Sequence, residues 1–355
     1  MQPFKTFLED KIFLKTCRVD KQKNANNQHN SKHSHHPTSK NMLPTATPTT
    51  LRAVLAEHGA AVVPGVLDTA ACEKMKGQMW DYLEGITSEW PTPIKREDEA
   101  TWREVYKLFP VHGMLIQHWG AGHAQASWDA RQNPAVVDVF RAFWGCTDLL
   151  TGFDGLSFGM PPEVTKLGWH RSDWMHSDQS YTIPDFKCMQ TWVTALDVDE
   201  GDATLSLLQG SHAYHTEFAK VFGVTEKGNW YKLSAEQQQW YLDKGCTRVN
   251  VTCKAGDMVC WDSRTIHCGK GPDKGRAAPK LRMVSYVSMQ PKAMANAKDL
   301  AKKRKAVEEL RTTTHWAAKP KLFGKYPRTY GKPIPATTPP PAPVLTELGR
   351  KLAGY

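Results

Sequence analysis

Between residues 148 and 289 the chain repeats one pattern, a short apolar piece followed by turn residues, and this pattern narrows the possible folds more than any other feature. The pieces are 148–153, 155–159, 188–196, 204–208, 247–253, 258–261 and 281–289. Each has the length of a strand and is too short for a stable helix. In Arg248-Val249-Asn250-Val251-Thr252-Cys253 apolar and polar residues alternate, as in a half-buried strand. Lys254-Ala255-Gly256-Asp257 then turns the chain into Met258-Val259-Cys260-Trp261. Many short strands joined by turns predict a mainly β protein, a sandwich or jelly roll.

Helices flank this region. Leu51, Val54 and Leu55 have helical spacing, and Ala60-Ala61-Val62-Val63-Pro64-Gly65 reads as a strand ended by a turn. Asp68 or Thr69 caps a helix from Ala70 to Leu83, and Asn133-Pro134 opens another that Gly145 closes. Ser234-Ala235-Glu236-Gln237 is a capping box. The stretch between the helix ending at Leu83 and the one opened by Asn133 is rich in aromatics (Trp90, Trp102, Tyr106, Phe109, Trp119, Trp128) and lacks clear periodicity, as expected of core or of a pocket wall.

Three regions follow. Residues 1–48 are polar and basic with few apolar side chains, and read as disordered because they cannot offset their ordering entropy. Residues 49–292 form the β domain with its helical and aromatic-rich inserts. Residues 293–355 carry a helix from Ala293 to Leu310, a basic and Pro-rich extension expected to pack on the core, and a short helix from Leu345 to Leu352. Lys302-Lys303-Arg304-Lys305 reads as a solvated helix face. The net charge of +10 favours anionic partners or reflects these basic ends. Eight scattered cysteines without a CxxC pair exclude a zinc ribbon and a disulfide scaffold. They suit a reducing, cytoplasmic compartment, although the basic N-terminal segment leaves organelle targeting open. No run is apolar and long enough to span a membrane.

Trp174-Met175-His176-Ser177-Asp178-Gln179 holds the chemistry. In an extended segment, side chains two apart share a face, so His176 and Asp178 can converge on one ion. Two ligands hold a reactive metal poorly. His267, in the unit from Gly256 to Gly269, is the best third ligand, with His118, His123, His212 and His315 as rivals. His170 stands three residues before Asp173, which puts the two on opposite faces of a strand. Two histidines and one carboxylate leave coordination positions open and suit Fe(II) that must also accept a co-substrate and oxygen.

A co-substrate needs its own anchor. Arg282 begins the apolar stretch Leu281 to Met289, and a guanidinium there suits a buried carboxylate. Arg276, among Gly and Pro neighbours, is the alternative and looks like an exposed loop residue.

Taken in order, these segments resemble the phytanoyl-CoA dioxygenase family of Fe(II)/2-oxoglutarate-dependent oxygenases. The matching pieces are Val62-Val63-Pro64-Gly65, Met175-His176-Ser177-Asp178-Gln179, Thr191-Trp192-Val193-Thr194, Asp202 through Gly210-Ser211-His212, Gly256 through His267-Cys268-Gly269, and Arg282. Gln209 stands where the family usually has proline. The resemblance implies a double-stranded β-helix, a cupin-like jelly roll with helices on one side. It implies Fe(II) held by His176, Asp178 and His267, and 2-oxoglutarate set on Arg282 with Trp192 and Thr194 as its walls. O2 would be consumed, 2-oxoglutarate decarboxylated to succinate, and a small-molecule substrate hydroxylated. Asp178 favours oxygenation over halogenation, because related halogenases lack the carboxylate ligand. Trp119, Trp169 and Trp174 are candidates for the substrate pocket. Two other readings remain: an AlkB-like nucleic-acid demethylase, suggested by the spacing of Arg276 and Arg282, and a catalytically inactive binding relative.

Overall fold

The computed structural model describes residues 42–108, 115–169, 173–327, 331 and 333–355. The disordered segment expected over 1–48 falls outside them up to residue 41, as do Phe109 and His170. The strands are β1 (Ala60–Val63), β2 (Leu149–Thr151), β3 (Leu156–Gly159), β4 (His176–Ser177), β5 (Met189–Thr194) and β6 (Thr204–Gln209). They continue with β7 (Tyr231–Lys232), β8 (Thr247–Asn250), β9 (Met258–Asp262), β10 (His267–Lys270), β11 (Arg282–Val287) and β12 (Met289–Pro291). One sheet has the order β1-β9-β5-β11-β3, a second β7-β4-β10-β6-β8, and β12 pairs with β2. Every strand pairing in these sheets is antiparallel. The fold is mainly β with flanking helices, the jelly roll expected.

The first sheet is buried on both faces, which explains why its strands read as nearly continuous apolar runs. Val62, Trp192, Val259, Trp261 and Val284 form one core cluster with Leu205, Leu207 and Val249 of the second sheet. Met189, Val193, Met258, Cys260 and Met283 point the other way. Alternation along each strand sends neighbouring residues to these two cores. The outer core is closed by helices Thr69–Ile86 and Pro134–Trp144. The Asp68 carboxylate caps the first by accepting from the Ala71 amide at 2.7 Å, and Cys72, Met75, Met79 and Leu83 face inward. The aromatics Trp80, Trp90, Trp102 and Trp119 are core residues of this layer.

Several elements depart from the expected pattern. β4 and β7 are two residues long and are defined by backbone pairing, which leaves no apolar signature. The 281–289 piece divides at Ser288, whose hydroxyl donates to Met189 O at 3.0 Å, and its two halves join different sheets. The helix expected from Ala293 starts at Ala297, because Asn296 and Asp299 form a capping box there. Lys303, expected on its solvated face, is 0% exposed. Leu43 and Ala46 are already buried, and Ala46 donates to Val62 O at 2.8 Å, ahead of the change in composition near residue 49. The C-terminal stretch is tied to the core by Trp90 Nε1, which donates to Ala336 O at 2.7 Å, and by buried Leu352. Among the described residues no helix is long and apolar enough to cross a membrane, and the cysteines there are free.

Candidate metal centre

β4 and β10 are neighbours in the second sheet, and their register places His176 directly opposite His267. Opposed residues of an antiparallel pair share a face. The two imidazoles accordingly lie with ring centres 4.4 Å apart. His267 opens β10. Asp178 follows β4 on the same face and is anchored through its amide to Ser263 O at 3.2 Å. Its Oδ1 is 3.6 Å from His176 Nε2, and its Oδ2 is 3.4 Å from His267 Nε2. One ligand atom from each of His176, Asp178 and His267 lies within 4.8 Å of the others.

The protonation pattern suits a cation. His176 Nδ1 lies 3.1 Å from Trp174 O, and His267 Nδ1 lies 2.9 Å from Thr265 O. A carbonyl accepts only, so each Nδ1 carries the proton and each Nε2 presents its lone pair to the shared space. Burial, with the neighbouring His176, pushes the His267 pKa down and keeps that ring neutral. Burial alone would raise the pKa of Asp178. Positive charge in this space, on a protonated His176 or on a bound cation in its place, outweighs it and holds the carboxylate well below its usual range. Two neutral nitrogens and one anionic oxygen fit a divalent first-row ion such as Fe(II).

Several supporting residues carry no motif. Gln190 Nε2 donates to Asp178 Oδ2 at 3.1 Å from the inward face of β5. Gln179 is fully buried; it donates to Ile183 O and Asp185 O and accepts from Ser263 Oγ at 2.9 Å, which pins the turn carrying Asp178. Trp174 stacks on His176 at 4.8 Å with an interplanar angle of 11°. Trp230 lies 5.8 Å from the same ring and is 57% exposed. Of the other pocket candidates, Trp119 is in the core and Trp169 lies under Lys274 Nζ at 5.7 Å.

The rival histidines are held elsewhere. His118 Nδ1 meets Gly324 O, His123 Nε2 meets Arg311 O, and His212 Nε2 meets Ala56 O. Burial drives the pKa of His123 down to about 3. His315 alone approaches the cluster, with Nδ1 4.0 Å from Asp178 Oδ2.

The two arginines differ sharply. Arg276, expected in an exposed loop, has a buried side chain. It is paired with Glu163 through Nε at 2.8 Å and with Asp202 through Nη1 at 2.9 Å. Gly and Pro neighbours marked the loop backbone but not this side chain, which folds back onto two acids. Arg282 is 7% exposed and has no carboxylate within ion-pair distance among the described residues. It donates to Ser157 Oγ at 3.2 Å and Ala203 O at 3.0 Å, and stands 5.3 Å over the Trp192 ring. The Tyr286 phenol is hydrogen-bonded to the same guanidinium, and burial raises its pKa. Trp192 is fully buried, and its Nε1 has no partner among the described residues. The Thr194 hydroxyl is taken by Leu196 O at 2.7 Å. A cleft lined by Ser157, Gly159, Ala203, Arg276, Lys280 and Arg282 reaches this arginine, and its walls include none of His176, Asp178 and His267.

A sequence model of the phytanoyl-CoA dioxygenase family matches residues 55–276. That span holds His176, Asp178, His267 and Arg276 and ends before Arg282. The Ava biosynthesis cluster protein O of Aspergillus versicolor is 27% identical over 229 residues, 62% of this chain and 71% of the relative. A putative oxidoreductase of Salmonella typhimurium LT2 shares the fold at a TM-score of 0.53 with 15% identity, over 89% of this chain and 87% of its own. The GlcNAc-inducible gene 2 product of Candida albicans does so at 0.52 with 14% identity, over 74% and 67%.

Proposed function

The chain belongs to the phytanoyl-CoA dioxygenase family, and from that premise we propose that it hydroxylates a small molecule, with His176, Asp178 and His267 as iron ligands and Arg282 as the anchor of 2-oxoglutarate. Family membership makes it a non-haem iron oxygenase that uses Fe(II), 2-oxoglutarate and O2. The observation that carries our reading is the convergence of two imidazole Nε2 lone pairs and one carboxylate, all within 4.8 Å. When bound, the iron supplies the oxidising chemistry, with 2-oxoglutarate decarboxylated to succinate.

The chain's own tasks are narrower. His176 and His267 are kept in one tautomer by the carbonyls behind them. Gln190 and the Gln179 turn hold the Asp178 carboxylate. Arg282 presents a buried fork over the ring face of Trp192, with no carboxylate within ion-pair distance among the described residues. Such groups are costly to bury unless a ligand completes them. Trp174 and the exposed Trp230 border His176 and offer apolar area to a substrate. The oxygenase unit is assigned to 49–292, with 293–355 as an extension packed on it.

The AlkB-like reading needs two arginines free for one anion, and Arg276 is already paired with two acids. The relative from Aspergillus versicolor is named for a biosynthesis cluster, in keeping with a small-molecule substrate. The test combines two measurements. Anaerobic Fe(II) plus 2-oxoglutarate is expected to give a visible charge-transfer band, and a metabolite library is then screened for substrate-stimulated succinate. A folded, iron-loaded protein without the band would sink the oxygenase reading.

A further inference from the structure

His315 lies outside the family match, in the C-terminal extension, yet its ring reaches the metal centre. Among the described residues, His118, His123, His212 and His215 each rest a ring nitrogen on a backbone carbonyl, of Gly324, Arg311, Ala56 and Gln179 respectively, and the half-buried His58 lies beside the exposed Glu57 carboxylate. Such a bond explains a structural histidine. His315 has none among the described residues. Its Nε2 is buried without a partner, and Nδ1 faces Asp178 Oδ2 at 4.0 Å. His212 and His215 also bury one ring nitrogen without a partner, but each anchors the other on a carbonyl; His315 anchors neither among the described residues, and its Nδ1 is turned to the Asp178 carboxylate.

The backbone delivers this ring with little freedom. Phe153 and Thr313 exchange two bonds, from Thr313 N to Phe153 O at 2.8 Å and from Phe153 N to Thr313 Oγ1 at 2.9 Å. Cys188 Sγ donates to His315 O at 3.8 Å. Gly152 lets the segment come close: a Cβ there would stand 3.2 Å from Thr314 O and 3.4 Å from His315 O. Ala318 is fastened to Gln290 Oε1 at 2.9 Å. Strand ends and extension together therefore aim the imidazole at the Oδ2 edge of Asp178, where Gln190 already donates.

We propose that His315 is a positioning residue of the metal centre, its Nδ1–H setting with Gln190 the rotation of the Asp178 carboxylate. This rests on Asp178 being an iron ligand. Partners behind metal-bound carboxylates fix their orientation, and removing one typically costs about 10–100-fold in metal affinity. A shift of about 1 Å turns the observed separation into a hydrogen bond.

The test uses the full chain under anaerobic conditions, with Fe(II) affinity read by chelator competition and the Fe(II)–2-oxoglutarate charge-transfer band read by absorbance. His315→Phe keeps the ring volume and is expected to bind Fe(II) on the order of 10-fold more weakly, with a shifted or broadened band. His315→Asn keeps a donor near the Nδ1 position and is expected to stay within about 3-fold of wild type; His315→Gln, whose amide falls nearer Nε2, is not. Wild-type affinity and an unchanged band in His315→Phe overturn the role of His315 alone. Should that variant not fold, equal affinities for the Asn and Gln variants overturn it. Wild-type protein that binds no Fe(II) overturns the oxygenase reading itself.

Discussion

The Arg282 guanidinium stands 5.3 Å over the indole of Trp192, on the neighbouring strand, and no carboxylate is within ion-pair distance of it among the described residues. A buried cation held by a ring face, a hydroxyl and a carbonyl is poised for an anion that the chain does not supply. Arg282→Lys loses the paired geometry, so its KM for 2-oxoglutarate is expected to rise on the order of 100-fold, about 3 kcal/mol. Steady-state succinate formation at varied 2-oxoglutarate checks this; an unchanged KM would move the anchor elsewhere.

The ligand assignment makes a cleaner demand. Asp178→Ala and His267→Ala each remove one of the three proposed ligands and are expected to abolish the charge-transfer band and stoichiometric Fe(II) binding. His118→Ala is expected to keep both, because its ring is spent on Gly324 O. Anaerobic absorbance titration of the three variants decides. Retention of the band in Asp178→Ala is incompatible with the proposed site.

Arg276 is expected to behave as a stability residue. Its guanidinium joins Glu163 to Asp202 while its own side chain is buried. Arg276→Met leaves two carboxylates facing each other and is expected to cost about 3 kcal/mol. The KM for 2-oxoglutarate should stay near the wild-type value. Urea denaturation gives the first quantity and steady-state kinetics the second, and a raised KM without lost stability contradicts the assignment.

Lys303 couples stability to pH. Its ammonium is fully buried, donates to Thr151 O at 2.5 Å and lies 4.2 Å from the Phe153 ring centre. Burial, with Arg131 nearby, pushes its pKa from 10.5 down to about 7. Below about pH 7 the native and unfolded chains both carry the proton, and the native state bears the full cost of the buried charge. Between about 7 and 10.5 the native state releases the proton while the unfolded chain retains it, so this group's contribution to stability rises with pH, by up to about 5 kcal/mol. Lys303→Met removes that slope. Its stability relative to wild type should be greatest near pH 6.5 and shrink toward pH 9.5, in denaturant titrations at about these two values. A pH-independent difference would show that Lys303 stays charged in the fold.

Much of this was legible locally. His176 and Asp178 share a face because side chains alternate along an extended chain, a rule with a range of two residues. Asp68, Asn133 and Ser234 mark helix starts through bonds to amides two or three residues on. The apolar runs 188–196 and 258–261 announced strands, which the fold realises at Met189–Thr194 and Met258–Asp262. The paired strand at His176–Ser177 gave no such sign, since a two-residue strand exists only through its neighbours' backbone. The buried state of Lys303 was hidden as well, because a lysine in a charged run looks solvated until a sheet closes over it.

By itself, then, the sequence determined the strand-rich class and the helix caps, and it singled out His176, Asp178 and His267 as candidate metal ligands. Tertiary structure decided the rest: that Arg276 is consumed by Glu163 and Asp202 while Arg282 is free of acids, that Gln190 braces Asp178, and that His315 comes in from the C-terminal extension. These depend on sheet register and on which acids fold back onto which cations. Periodicity and capping act within a few residues, whereas register, burial and charge pairing join positions more than a hundred residues apart, such as Glu163 with Arg276 and Asp178 with His315.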